Sequence, residues 1–162
     1  MRFERVEFDE FRKHFKDGYE GYKQAHDAYE RIKMPQRGTA GSAGYDFYLP
    51  MDIKFLGDGY ISTFPTGVRV ILDPGHVLLL VPRSSLGFKY GMSLINTVGV
   101  IDEDFINGDS GGHIMAAFKT DLPVDLSAGD RYMQGIIVKY GLTEDDNPLK
   151  HDRTGGIGST GV

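Results

Sequence analysis

Two segments of this 162-residue chain gather the side chains best suited to chemistry. In Val81-Pro-Arg-Ser-Ser-Leu-Gly87 an apolar run ends on a guanidinium and two hydroxyls. Arg83 offers a rigid fork of donors matched to phosphate oxygens, Ser84 and Ser85 offer hydroxyls, and the Ser85–Gly87 amides offer a candidate anion nest. A strand-ending turn in which the arginine satisfies local carbonyls fits the same residues equally well. In Asn96-Thr-Val-Gly-Val-Ile-Asp-Glu-Asp-Phe105 the carboxylate of Asp102 follows an apolar pair, so the chain leaves the core as the acid appears. Such a position suits a functional acid, although Asp-Glu-Asp is also ordinary turn composition. The three acids lack the spacing and distal glutamate of a calcium-binding loop.

Other segments are quieter. Gly129-Asp-Arg-Tyr-Met-Gln-Gly135 reads as a turn feeding a strand, Ile136–Tyr140, and Ser42-Ala-Gly-Tyr-Asp46 as a small-residue loop that delivers Asp46 to a strand. Arg153-Thr-Gly-Gly-Ile-Gly-Ser-Thr-Gly-Val162 contains Gly156-x-Gly158-x-x-Gly161, the spacing of a dinucleotide-binding loop. That loop needs a helix opening within it and an acidic ribose anchor about twenty residues on, and only Val162 follows. Nucleophile-elbow and Walker-type phosphate loops are absent. His14, His26, His76, His113 and His151 make no His-Glu-x-x-His motif and no pair close in sequence, so each reads as surface or core.

The elements that must hold these residues fall into two textures. Phe8, Phe11, Phe15, Tyr19, Tyr22 and Tyr29 recur at helical spacing over residues 8–31, and Gly18 and Gly21 divide that stripe into two short helices packed on a core. After Met34-Pro35 come short apolar or alternating runs between Gly, Pro and Asp: Tyr45–Leu49, Ile61–Phe64, Gly67–Leu72, His76–Val81, His113–Lys119 and Gly135–Tyr140. Short strands between turn signals predict an all-β barrel or sandwich. Cysteine is absent, which excludes disulfides and thiol chemistry. A formal charge of −5 argues against a nucleic-acid surface, and no apolar run is long enough to span a membrane or resembles a signal peptide. A cytoplasmic protein that meets any phosphate with a few placed groups is the expectation.

Taken in order, five segments resemble the motifs of the trimeric dUTP pyrophosphatases, the dUTPases, of Gram-positive bacterial or phage type. They are Ala43-Gly-Tyr-Asp46, Pro82-Arg-Ser-Ser-Leu-Gly87, Asn96-x-x-Gly-x-Ile-Asp-x-Asp-Phe105, Gly129-Asp-Arg-x-x-Gln134 and Arg153-Thr-Gly-Gly-Ile-Gly-Ser-Thr-Gly161. The resemblance implies an all-β, jelly-roll-like barrel over residues 1–152, with the helical stripe as an insertion between a first strand near Met1–Glu7 and Ile32–Pro35. It implies a flexible C-terminal arm at 153–162 and a homotrimer with active sites at subunit interfaces.

The implied reaction is hydrolysis of dUTP to dUMP and diphosphate. Asp102 matches the general base that activates water against the α-phosphorus. Carboxylates are weak bases at neutral pH, so positioning and charge neutralisation must supply most of the rate. Arg83, Ser84, Ser85 and Gln134 match the triphosphate-binding residues. Asp46 matches the residue that reaches Mg2+ through water, the ion being held mainly by phosphate oxygens. Asn96 and Gly99 belong to the hairpin that reads uracil, and Phe105 packs on deoxyribose where the family commonly has tyrosine. Arg153, Ile157, Gly158 and Ser159 belong to the arm; Ile157 stands where phenylalanine is common, and an aliphatic cover gains burial in place of stacking. Residues 106–112 lengthen the loop after Asp102. A dCTP deaminase on the same fold would need a glutamate in the Asp102 region. A nucleotide-gated regulatory protein with an unidentified partner is the other alternative.

Overall fold

The computed structural model describes residues 1–148. Turn residues break the chain into strands β1 (Arg2–Arg5), β2 (Gln36–Arg37), β3 (Tyr45–Tyr48), β4 (Ile53–Phe55), β5 (Ile61–Pro65), β6 (Val68–Ile71), β7 (His76–Pro82), β8 (Ser93–Leu94), β9 (Gly99–Ile101), β10 (Met115–Lys119), β11 (Val124–Leu126) and β12 (Arg131–Lys139). Helices α1 (Phe8–Arg12) and α2 (Tyr19–Glu30) follow β1, and α3 (Ser84–Tyr90) follows β7. The largest sheet runs β2-β3-β12-β7-β9 and is antiparallel throughout. A second runs β5-β10-β8, and β1-β6 and β4-β11 form pairs. This is the expected all-β, jelly-roll-like architecture; among the described residues its ladders form four sheets and no continuous closed ring.

Alternation builds the core. On β7, Leu78 and Leu80 point inward, and Phe64, Ala116 and Phe118 do so from the second sheet. Tyr132 of β12 ties the layers together, its ring 5.4 Å from Phe64 and 5.7 Å from Phe118. β12 begins at Arg131, five residues before the expected start at Ile136, because β3 and β7 pair with it across the polar stretch that alone reads as a turn.

The aromatic stripe forms two helices, with Gly18 at the break as expected, whereas Gly21, also expected to interrupt it, lies inside α2. Gly18 takes the left-handed backbone at the start of α2, with φ 93°. A Cβ on Gly21 would lie 1.8 Å from the Lys16 carbonyl oxygen, so that helix–loop approach requires glycine. Phe11 is fully buried and the Tyr29 hydroxyl donates to the Val6 carbonyl at 2.6 Å, whereas Tyr19 and Tyr22 remain exposed. Core packing therefore accounts for only part of the stripe. The lengthened loop shares a cleft with the start of α1: Glu7 and Glu10 line about 200 Å³ together with Asp109, Ser110 and Gly111.

His113, at the end of that loop, is buried under α1. The Gly67 N–H donates to its Nε2 at 3.1 Å, and its Nδ1 lies 3.9 Å from a Glu10 carboxylate oxygen. Burial, with His14 adding to it and Glu10 opposing it, pulls the His113 pKa down to about 4. An unfolded histidine titrates near 6.5, so between about pH 4 and 6.5 the unfolded chain binds a proton that the native one refuses. Stability is lost as pH falls through that window. Urea midpoints should drop between pH 7 and pH 5, and the drop should shrink in His113→Gln; an equal drop in both proteins would remove His113 as its source.

Candidate active site

The ladder geometry brings three polar side chains together around one carboxylate. Asp46, in the middle of β3, is 3% exposed. Gln134 lies opposite it on β12 and donates Nε2–H to Asp46 Oδ1 at 3.0 Å. Arg83 places Nε 3.4 Å from the same oxygen, and Arg131 donates from Nη1 to Oδ2 at 3.1 Å. Two guanidinium groups and an amide thus compensate a charge that would be costly to bury alone. The sequence alone assigns no role to Arg131.

Arg83 is placed by β7 running into α3. Its backbone N–H donates to the Tyr132 carbonyl at 3.1 Å, extending the β7–β12 ladder by one bond, and it is the N-cap of the helix. The expected Ser85–Gly87 nest does not form, because the Leu86 and Gly87 amides both donate to the Arg83 carbonyl as the first helical bonds. Ser84 and Ser85 are exposed on the first turn, beside Arg83, where helix amides have no intrahelical acceptor.

A separate cavity of about 360 Å³ opens between β9, β8 and β10. Asn96, Gly99 and Phe105 line it together with Leu80, Ile101 and Ala117. The hairpin expected around Asn96 and Gly99 is not a pair of adjacent strands: β8 pairs with β10 and β9 with β7, so the segment crosses between two sheets. The turn is tight all the same, with Thr97 at φ 67° and Val98 N–H donating to Asn96 at 2.7 Å. Phe105 is buried on the short 3-10 turn Glu103–Asn107, which Asp102 caps with its backbone in extended conformation. Apolar walls with one amide at the rim suit a flat, weakly polar ring.

Asp102 and Arg83 do not meet within one chain. Ile101 pairs with Leu78 near one end of β7, and Arg83 follows Pro82 at the other. Five residues of strand separate those levels, roughly 16 Å. The cavity and the Asp46 cluster therefore lie apart within one chain. Arg153, Ile157, Gly158 and Ser159 lie outside the described residues.

Two other features compete for attention. A larger groove of about 590 Å³ runs past Arg2, Arg37, Tyr45 and Lys139, but it holds neither Asp46 nor Asp102. Glu10, His14 and His113 bring three potential ligand atoms within 4.8 Å of one another, a proximity that sequence separation conceals. The Gly67 N–H occupies the Nε2 lone pair of His113, so the neutral ring carries its proton on Nδ1. A metal ion would need that nitrogen bare, and the cluster does not suit one.

A dUTPase family model matches residues 30–161. The deoxyuridine 5'-triphosphate nucleotidohydrolase of Lactococcus lactis is 40% identical over 135 residues, covering 81% of this chain and 89% of that protein. The crystal structure of a Streptococcus mutans dUTPase superposes with TM-score 0.66 at 35% identity, covering 89% of this chain and 99% of that one. A mutant dUTPase from phage phi11 of S. aureus, described with a structural Mg(II) ion, is 19% identical with TM-score 0.61 and shares the fold.

The cavity wall makes a direct structural prediction. A Cβ on Gly99 would stand 3.0 Å from Leu80 Cβ. Gly99→Ala should lower unfolding stability by about 1–3 kcal/mol in urea titration, as overpacking does. An unchanged midpoint would mean that Leu80 yields and the wall is not tight.

Proposed function

Because the chain belongs to the dUTPase family, we propose that it hydrolyses dUTP to dUMP and diphosphate. The observation that carries the reading is the pairing of an apolar, amide-rimmed cavity that includes Gly99 and Phe105 with a buried cluster that ends in Arg83 and Gln134. The cavity takes uracil and deoxyribose: Asn96 and neighbouring backbone meet the base edge, and the Phe105 ring covers the sugar. Arg83, Ser84, Ser85 and Gln134 take the phosphates. Asp102 accepts a proton from the water that attacks the α-phosphorus. The bond from that phosphorus to the bridging oxygen breaks, and diphosphate leaves with the bridging oxygen.

The donor set around Asp46 fits a hard cation met through water. Both carboxylate oxygens already accept hydrogen bonds or face a guanidinium, which leaves no oxygen bare for direct ligation. Mg2+ bound with the triphosphate would neutralise charge on the phosphate oxygens. Asp46 would orient its water shell, and Arg83 would face the phosphates beside it.

Homotrimer formation is part of the same proposal. Asp102 of one protomer would meet the Arg83 cluster of the next, which supplies what the roughly 16 Å along β7 denies a single chain. Phe88 on α3 is 94% exposed and Val100 at the cavity is 55% exposed, as residues awaiting a neighbouring subunit would be. We place the enzyme in the cytoplasm, with residues 153–162 closing the site and Arg153 on the γ-phosphate. The deaminase alternative is not favoured, since aspartate stands where it needs glutamate.

Diphosphate release assayed in parallel on dUTP, UTP, dTTP and dCTP should show turnover of dUTP alone. Equal turnover of all four would sink the substrate assignment. Asp102→Asn should lower kcat by about 10²–10⁴-fold with the oligomer intact; near-normal kcat would give the base role to another group. Removal of residues 153–162 should leave the assembly folded and reduce kcat by about 10³–10⁵-fold, the range for a supplied arginine in phosphoryl transfer. Full activity after truncation would contradict the closing role.

A further inference from the structure

The polar cluster divides its work between the two oxygens of Asp46. Oδ1 carries Gln134 at 3.0 Å and Arg83 at 3.4 Å, the two residues assigned to the phosphates. Oδ2 carries Arg131 at 3.1 Å. When Arg83 and Gln134 turn to an incoming triphosphate, a carboxylate with its side chain 5% exposed would lose its partners on one side. An unpaired buried charge is strongly unfavourable.

The backbone is built to keep Arg131 in place. In a regular strand, residues three apart point to opposite faces. Here the register shifts between Arg131, opposite Tyr48, and Met133, opposite Phe47, so the strand bulges at Tyr132. Tyr132 and Met133 are consecutive and both fully buried, the mark of that phase break. The bulge brings Arg131 to the face from which Gln134 reaches Asp46. The Tyr132 ring is locked against Phe64 and Phe118, and its carbonyl accepts the Arg83 amide.

We propose that Arg131 is a positioning residue, held by the Tyr132 bulge, that keeps the Asp46 carboxylate paired and oriented through Oδ2 while Arg83 and Gln134 exchange Oδ1 for the phosphates. This rests on the dUTPase reading given above. Arg131 acts through Asp46 and does not touch substrate.

A double-mutant cycle of Arg131→Gln, Asp46→Asn and the combined variant tests this, with Arg131→Lys as the conservative variant. Two readouts apply: calorimetric binding of a non-hydrolysable dUTP analogue with Mg2+, and the Mg2+ concentration for half-maximal turnover. Arg131→Gln should weaken analogue binding and raise the Mg2+ requirement roughly 10-fold, with kcat at saturating Mg2+ changed less. In the Asp46→Asn background the same change should cost less than about twofold, and Arg131→Lys should regain part of the loss. Additive losses would show that Arg131 meets substrate directly, and an unaltered Arg131→Gln would show it idle; either overturns the proposal. Failure of the substrate reading is separately visible, as wild-type protein that binds a UTP analogue as well as the dUTP analogue.

Discussion

One strand constrains everything else in this protein. β7 is hydrogen-bonded on both edges, to β12 over seven residue pairs and to β9 over three, which fixes its position in the sheet. Its last ladder bond leads into the Arg83 N-cap and so sets the guanidinium against Asp46. Its opposite end sets the level at which β9 stops and Asp102 begins. Leu78 and Leu80, facing inward between those ends, anchor the strand in the core and put Leu80 behind Gly99 in the cavity wall. β7 therefore acts as a rigid spacer between the cavity proposed for the nucleoside and the cluster proposed for the phosphates, and in that proposal a second protomer closes the gap.

The buried Asp46 is the second organising element. A carboxylate inside a sheet survives only with compensation, and two of its three compensating groups, Arg83 and Gln134, are the ones a triphosphate would claim. One carboxylate faces two guanidinium groups, so the cluster keeps a net positive charge suited to phosphate, and in the proposal binding exchanges partners around Asp46 without exposing it. The bulge at Tyr132 is the means by which a single strand offers both Arg131 and Gln134 to one acid. An ordinary ladder could present only one of them.

Much of this was legible in the sequence, for identifiable reasons. Strands β3, β5, β6, β7 and β10 announce themselves by apolar alternation between turn residues, and the split of the aromatic stripe follows from Gly18. Arg83 and Asp102 stand out because apolar runs end on them, whereas Asp46 and Gln134 gain a role only through the resemblance to the family motifs. What escaped has no local signature. Arg131 points toward Asp46 only because of a bulge, and a bulge leaves no compositional trace. Pro82-Arg-Ser-Ser-Leu-Gly87 reads as a turn because Gly87 interrupts the pattern, yet it begins α3. The contacts of Glu10 and Phe11 on α1 with His113, at the end of the lengthened loop, join segments distant in the chain.

The central claim is that catalysis needs Arg83 from one protomer and Asp102 from another. Mixing decides it: Arg83→Ala and Asp102→Asn proteins, each inactive alone, are unfolded together in equal amounts, refolded, and assayed on dUTP. Sites shared between protomers should recover about one quarter of wild-type activity, the product of two one-half probabilities. A mixture as inactive as its components would show that both residues must belong to the same chain, and would contradict the account.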